Sequence, residues 1–107
     1  MVNPPTRPML KLVVRARTGD RHGSRSMVDS LLDLLKARGV AGATVVQGVK
    51  GFGARGTAKL EVLALSVSLP VVVEAVGEPA VIEGLLAEVK DMVGHNGLVT
   101  VERVEAL

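Results

Sequence analysis

The sequence predicts one α+β domain built as a split β-α-β, with elements in the order β-α-β-β-α-β and an antiparallel sheet. Three observations lead there. Two stretches carry the apolar period of amphipathic helices, and each lies between stretches with the alternation or β-branched run of strands. The breakers Gly39, Pro79 and Gly94 fall at the ends of those helical patterns, where helix stops and starts place them.

Residues 9–17 alternate. Leu10, Leu12, Val14 and Ala16 point one way, and Lys11, Val13, Arg15 and Arg17 the other, which is a half-buried strand. Thr18 to Gly23 reads as a polar loop. A helix is expected from about Ser24 to Arg38. Ser26 with Asp29 forms a capping arrangement, Ser24 is the rival cap, and Gly39 is a left-handed stop. Ala43–Val49 reads as a strand, followed by the densest glycine cluster, residues 48–56. Thr57–Leu65 fits helix by propensity and strand by alternation, Ser66–Leu69 reads as a turn, and Val71–Val76 as a buried strand. Pro79 opens a second helix that Gly94 ends, and Gly97–Val104 is the last strand, entered through the His95-Asn96-Gly97 turn. Residues 1–8 read as a flexible lead-in and 9–107 as the domain. The element order is the ferredoxin-like one. Helices on one sheet face leave the other face free, and its apolar members, Val13 and Leu63 among them, then call for a second copy.

Composition narrows the function classes. Nearly half the residues are apolar (48%) with a single aromatic, so the core is expected to consist of Val, Leu, Ile, Ala and Met. With no cysteine, disulfides, thiolate metal sites and thiol chemistry are excluded. The longest apolar stretch, Leu60–Val76, is interrupted by Glu61, Pro70 and Glu74, and the first residues lack an apolar signal core, so the expected location is the cytoplasm. The net charge of +2 conceals an asymmetry: residues 1–59 carry +8 and residues 60–107 carry −6. Either the first half binds an anion, or the halves interleave and their charges mix. Nucleic-acid binding lacks its stacking aromatics.

Gly51-Phe-Gly-Ala-Arg-Gly56 spells a dinucleotide fingerprint, but no helix of useful length follows and the chain has no room for a second βαβ half. A Walker loop fails because Thr57 stands where lysine is required. The glycines can still turn backbone N–H groups toward an anion, with charge from Lys50 and Arg55, or can simply supply turns in a hairpin loop. Phe52 either stacks on a base or anchors the loop to the core or to a neighbouring subunit. His22 and His95, in separate polar turns, are weak metal or acid/base candidates. Glu74, inside an apolar strand, is expected on the exposed face or paired with a base. No nucleophile–base spacing appears, so an enzyme is not expected.

As a set, Arg21-His-Gly23, Gly39-Val-Ala-Gly-Ala-Thr-Val45, Gly48-x-x-Gly-Phe-Gly53, Leu69-Pro-Val-Val-Val-Glu74 and Gly97-Leu-Val-Thr-Val101 resemble the PII-like family catalogued as domain of unknown function 190, from about residue 9 onward. The resemblance implies a ferredoxin-like homotrimer with nucleotide-sized clefts between subunits. Val49–Gly53 looks like the base of the PII T-loop, and Gly42-Ala-Thr44 is similar to the strand start near the adenine. Departures are equally specific. The PII glutamine for magnesium and 2-oxoglutarate falls at Arg55, its phosphate-binding lysine falls at Leu98, its pair of C-terminal arginines has no counterpart, and there is no tyrosine to uridylylate. A smaller adenylate, another small anion or no nucleotide remain as readings.

The leading expectation is therefore a signalling module. It would hold a small anionic effector, an adenine nucleotide among the candidates, with Thr44, Lys50, Gly51, Phe52, Gly53, Arg55, Gly94, Asn96 and Gly97. It would act on a partner such as a membrane transporter or channel, and it needs no resident cofactor or metal. The alternative is a ligand-free structural or protein-interaction trimer. A third reading, metal-linked or enzymatic, would require His22 and His95 to meet across an interface.

Overall fold

A computed structural model describes residues 3–53 and 68–107, together with the backbone of 56–59. Four strands, β1 (Arg7–Arg17), β4 (Ala43–Gln47), β7 (Pro70–Gly77) and β8 (Leu98–Ala106), form one sheet in the order β4-β7-β1-β8, every neighbour antiparallel. Helix α1 (Met27–Ala37) connects β1 to β4, and α2 (Pro79–Val93) connects β7 to β8. Each crossover thus skips a strand, which makes the ferredoxin-like split β-α-β of the sequence reading.

Alternation decides which sheet face is buried. In β1 the side chains of Leu10, Leu12 and Val14, and in β7 those of Val71, Val73 and Ala75, point to the helices. All but Val71 meet Met27, Leu31 and Leu35 of α1 and Ile82, Leu85, Val89 and Val93 of α2 in a core without an aromatic residue. The opposite face carries Met9, Lys11, Val13 and Arg15 of β1 beside Val72 and Glu74 of β7. No helix covers it, and Val46 and Leu98 are more than half exposed there. Leu63, expected with this set, lies outside the described residues.

Three local expectations are corrected. The stretch read as a polar loop after β1 contains a two-stranded ribbon, β2 (Arg21–His22) with β3 (Arg25–Ser26), so His22 sits in a strand opposite Arg25. Helix α1 accordingly begins at Met27 rather than Ser24. The backbone closes this corner tightly: the Met27 N–H donates to the Asp20 carbonyl at 2.9 Å. The glycine cluster, read as a loop, opens a second ribbon, β5 (Lys50–Gly53) with β6 (Gly56–Lys59). Thr57–Lys59, ambiguous by propensity, is therefore strand; the rest of that stretch, with Ser66 and Val67 of the expected turn, lies outside the described residues. At the chain end, β8 runs 98–106 rather than 97–104.

Helix α1 decides between its rival caps. The Asp29 N–H donates to the Ser26 hydroxyl at 3.3 Å. Gly39, with φ +82°, takes the left-handed position after the helix as expected. Ser26→Ala should lower stability by about 1 kcal/mol in urea unfolding, and Ser24→Ala by a few tenths at most. The reverse ranking would return the cap to Ser24.

The charge asymmetry resolves as mixing. Arg7–Glu78 (2.7 Å), Lys11–Glu74 (3.6 Å), Lys11–Glu102 (3.5 Å) and Arg38–Glu88 each join the basic half to the acidic one. Interleaving of the halves in the fold puts these partners side by side, across the sheet for the Lys11 pairs and at α2 or its N-cap for the others. Such exposed pairs contribute little to stability, but they place charges from the two halves of the chain next to each other. Glu74 is on the exposed face, paired with Lys11, as its place in the sequence implied.

Candidate functional site

One part of the surface gathers basic side chains from several elements. The C-terminal end of β1 is pinned from two sides. The Arg17 N–H donates to the Asp20 carboxylate at 2.9 Å, and the Asp20 N–H returns a bond to the Arg17 carbonyl at 3.2 Å. Thr18 and Leu69 exchange two bonds: Thr18 N–H to the Leu69 carbonyl at 2.9 Å, and Leu69 N–H to Thr18 Oγ1 at 3.0 Å. This holds Arg15 and Arg17 at the end of the sheet beside the start of β7.

The β5–β6 ribbon leaves the sheet at the same end. Its base hugs Pro70, the first residue of β7, a strand position that tolerates proline. The Gly48 N–H donates to the Pro70 carbonyl at 2.8 Å. A Cβ at Gly51 would stand 3.0 Å from Pro70 Cγ, and one at Gly48 would stand 3.3 Å from Pro70 Cβ. These two glycines thus permit close approach to the proline ring. The fingerprint reading of the cluster fails on structure as well, since Gly56 opens a strand and not a helix.

The third wall comes from the end of α2. Gly94, with φ +57°, breaks the helix into a 3-10 turn, Gly94–Asn96. Gly97 then brings the chain against β1 so closely that a Cβ would stand 2.3 Å from the Arg15 carbonyl oxygen. Leu98 pairs with Arg15 from there on.

These walls enclose a cleft of about 590 Å³, the size of a small-ligand site. Arg15 and Arg17 line it from β1, Lys50 to Gly53 from β5, Pro70 to Val72 from β7, and His95 to Leu98 from the turn into β8. Three cationic side chains and one imidazole thus face an apolar floor, and no carboxylate is among the described lining residues. Phe52, at the rim, is 91% exposed. It does not anchor the ribbon to this chain's own core.

Of the residues singled out in the sequence, the structure brings Lys50, Gly51, Phe52, Gly53, Asn96 and Gly97 together. Gly94 shapes the turn without lining the cleft. Thr44 lies on β4 opposite Glu74 and outside the lining. Arg55 is outside the described residues. His22 does not line the cleft, while His95 does. Sequence reasoning missed Arg15 and Arg17, treating them only as the wet side of a strand. Only the β1–β8 register, which places Leu98 and the turn before it against Arg15, reveals that they face a site. Among the described residues no cluster of three metal-ligating side chains occurs, and no helix is long and apolar enough to cross a membrane.

The same architecture occurs in solved structures. CPII, a nitrogen regulatory PII-like protein from Thiomonas intermedia K12, bound to ADP, AMP and bicarbonate, matches with a TM-score of 0.70 at 21% identity, covering 96% of this chain and 99% of that one. The apo form of CPII matches at 0.65 with 19% identity over 95% of each chain. At such identities the likeness shows the fold, which is PII-like. Sequence relatives are nearer. A UPF0166 protein of Methanocaldococcus jannaschii is 34% identical over 90 residues, 84% of this chain and 83% of its own. A UPF0166 protein of Aquifex aeolicus is 42% identical over 78 residues, 72% of each. Residues 9–106 match the family DUF190, described as Uncharacterized ACR, so with nearly the whole domain matched this chain belongs to that family.

Proposed function

We propose that this protein is a PII-like regulatory protein that binds a small anionic effector of the adenine-nucleotide class in the cleft between β1, β5 and the 94–97 turn. The observation that carries this reading is the concentration of Arg15, Arg17 and Lys50 around an apolar floor without a carboxylate, beside the chain's single aromatic residue. Guanidinium and ammonium groups suit phosphate oxygens, and the exposed Phe52 ring suits the face of a base. CPII, which shares the fold, has been captured with ADP, AMP and bicarbonate.

The cleft is open on the uncovered side of the sheet, where Val46 and Leu98 are exposed. A homotrimer that buries this face would complete each cleft with a neighbouring subunit, and Thr44, on the same face, would then be placed to reach the ligand. Effector binding would fix the β5–β6 ribbon and alter its fit to a partner protein, with a cytoplasmic domain of a transporter or channel as the expected class. The reading assigns no catalytic step.

Calorimetric titration with ADP and AMP, alongside sedimentation, tests it. The expected result is a trimer that binds at least one of them with a Kd of micromolar order, equivalent to about −8 kcal/mol. Phe52→Ala should weaken binding roughly tenfold or more, since stacking on an aromatic ring contributes ~1–3 kcal/mol per base. No heat with either nucleotide and an unchanged melting temperature would leave the ligand-free interaction trimer as the better reading.

A further inference from the structure

We propose that His95 takes up a proton when a phosphate-bearing anion occupies the cleft, so that occupancy is set by pH as well as by effector concentration. This rests on the reading of the cleft as an anion site and adds to it a second input, the proton.

The argument begins with placement. His95 sits in the 3-10 turn, whose entrance is fixed by the positive φ of Gly94 and whose exit is fixed by the approach of Gly97 to the Arg15 carbonyl. The backbone of so constrained a turn keeps His95 at the cleft wall. The described residues that line the cleft with it come from β1, β5, β7, β8 and its own turn. From β1 come Arg15 and Arg17, and from β5 comes Lys50. From β7 come Pro70, Val71 and Val72, and from β8 comes Leu98, none of which titrates. The charged residues in the last turn of α2, Lys90 and Asp91, are exposed and do not line the cleft.

Chemistry supplies the rest. Arg and Lys stay charged across the physiological range, so they make affinity strong but constant with pH. Histidine is the side chain whose ordinary titration spans neutrality. A bound phosphate presses negative oxygens against every group in the lining and favours the imidazolium, which donates from both ring nitrogens. No described carboxylate lines the cleft to stabilise the imidazolium before the anion arrives. Binding and protonation are then linked with the same coupling in both directions. The sign follows: the anion raises the titration midpoint of His95, so affinity is greater below neutrality and falls as the pH rises through it.

The test uses the intact protein with ADP as probe, followed by proton NMR of the two histidine rings, assigned with His95→Gln. The phosphate itself titrates near pH 6, so the His95 resonance rather than a bare pH–affinity curve carries the answer. With ADP saturating, the His95 midpoint should climb by about 0.5–1 pH unit, which corresponds to a roughly two- to sixfold loss of affinity between pH 6 and pH 8. His22, on the β2–β3 ribbon and away from the cleft, should not move. In His95→Gln that two- to sixfold component should vanish while ADP still binds. If ADP binds and the His95 midpoint stays put, or follows His22, this inference is overturned and the anion site stands. If ADP does not bind at all, both fall.

Discussion

Gly97→Ala should lose about 3 kcal/mol of stability, a drop in melting temperature on the order of 15 °C for a domain of this size. The reason is local and severe. The new methyl would lie 2.3 Å from the Arg15 carbonyl oxygen and 3.1 Å from Val93 Cγ1. The first of these is backbone on a central strand, bonded into the sheet on both sides, so it cannot rotate away as a side-chain tip would. Backbone conformation is no obstacle, since Gly97 is extended at φ −158°. The effect is therefore purely one of space. Relief would come from moving the start of β8 away from β1, which breaks the Arg15–Leu98 pair and spoils one wall of the cleft. Nucleotide affinity should consequently fall together with stability. Gly84→Ala is the informative contrast. Gly84 is exposed inside α2 with nothing within 4 Å of its added methyl, so that substitution should stabilise by about 0.5–1 kcal/mol. Thermal melts of both variants decide the matter: a Gly97→Ala protein that melts with the parent would mean that the chain does not pass β1 this closely.

The contrast between these two glycines shows where sequence reading stops. Elements with a strong period were legible: the alternation of residues 9–17, the apolar stripes of both helices and the stop at Gly39 all appear in the structure. Their order alone implied the split β-α-β, because each helical pattern lies between two strand patterns. What the pattern does not carry is register. Arg15 reads as a solvated residue until β8 is known to pair beside it, and Gly97 reads as one more turn glycine until the Arg15 carbonyl is found against it. The glycine cluster misled for a related reason. Glycine signals a turn, a close approach or a phosphate cradle equally well, and here Gly48 and Gly51 serve close approach to Pro70. Phe52 and Lys50 were legible as site candidates because they are unusual in their surroundings. Val46 and Leu98 were not, because an apolar residue in a strand looks the same whether its side chain is buried or exposed.

The cleft itself is tested most sharply by reversing its charge. Arg15→Glu combined with Lys50→Glu should weaken ADP binding at least about a hundredfold. Each charge-assisted contact to phosphate is worth ~1.5–3 kcal/mol, and a carboxylate in its place adds repulsion. The two sites lie on different elements, β1 and β5, so their losses should add unless both touch the same phosphate oxygen. Folding should be spared. Both side chains are exposed, and neither Arg15 nor Lys50 takes part in the ion pairs of Arg7, Lys11, Arg25 or Arg38, so stability should shift by no more than about 0.5 kcal/mol for each substitution. Lys36→Glu, on the exposed side of α1 and outside the cleft, removes the same kind of charge and should leave affinity within about twofold. This set separates a local site from a general attraction of a basic protein for anions. Under general attraction the Lys36 variant would weaken binding as each single cleft variant does, and the effect would vanish as salt shortens the screening length. Under the local reading the loss is confined to Arg15 and Lys50 and persists at physiological salt, because the cleft walls hold charge and ligand at contact distance. Unimpaired ADP binding by the double variant would remove the cleft from the function altogether.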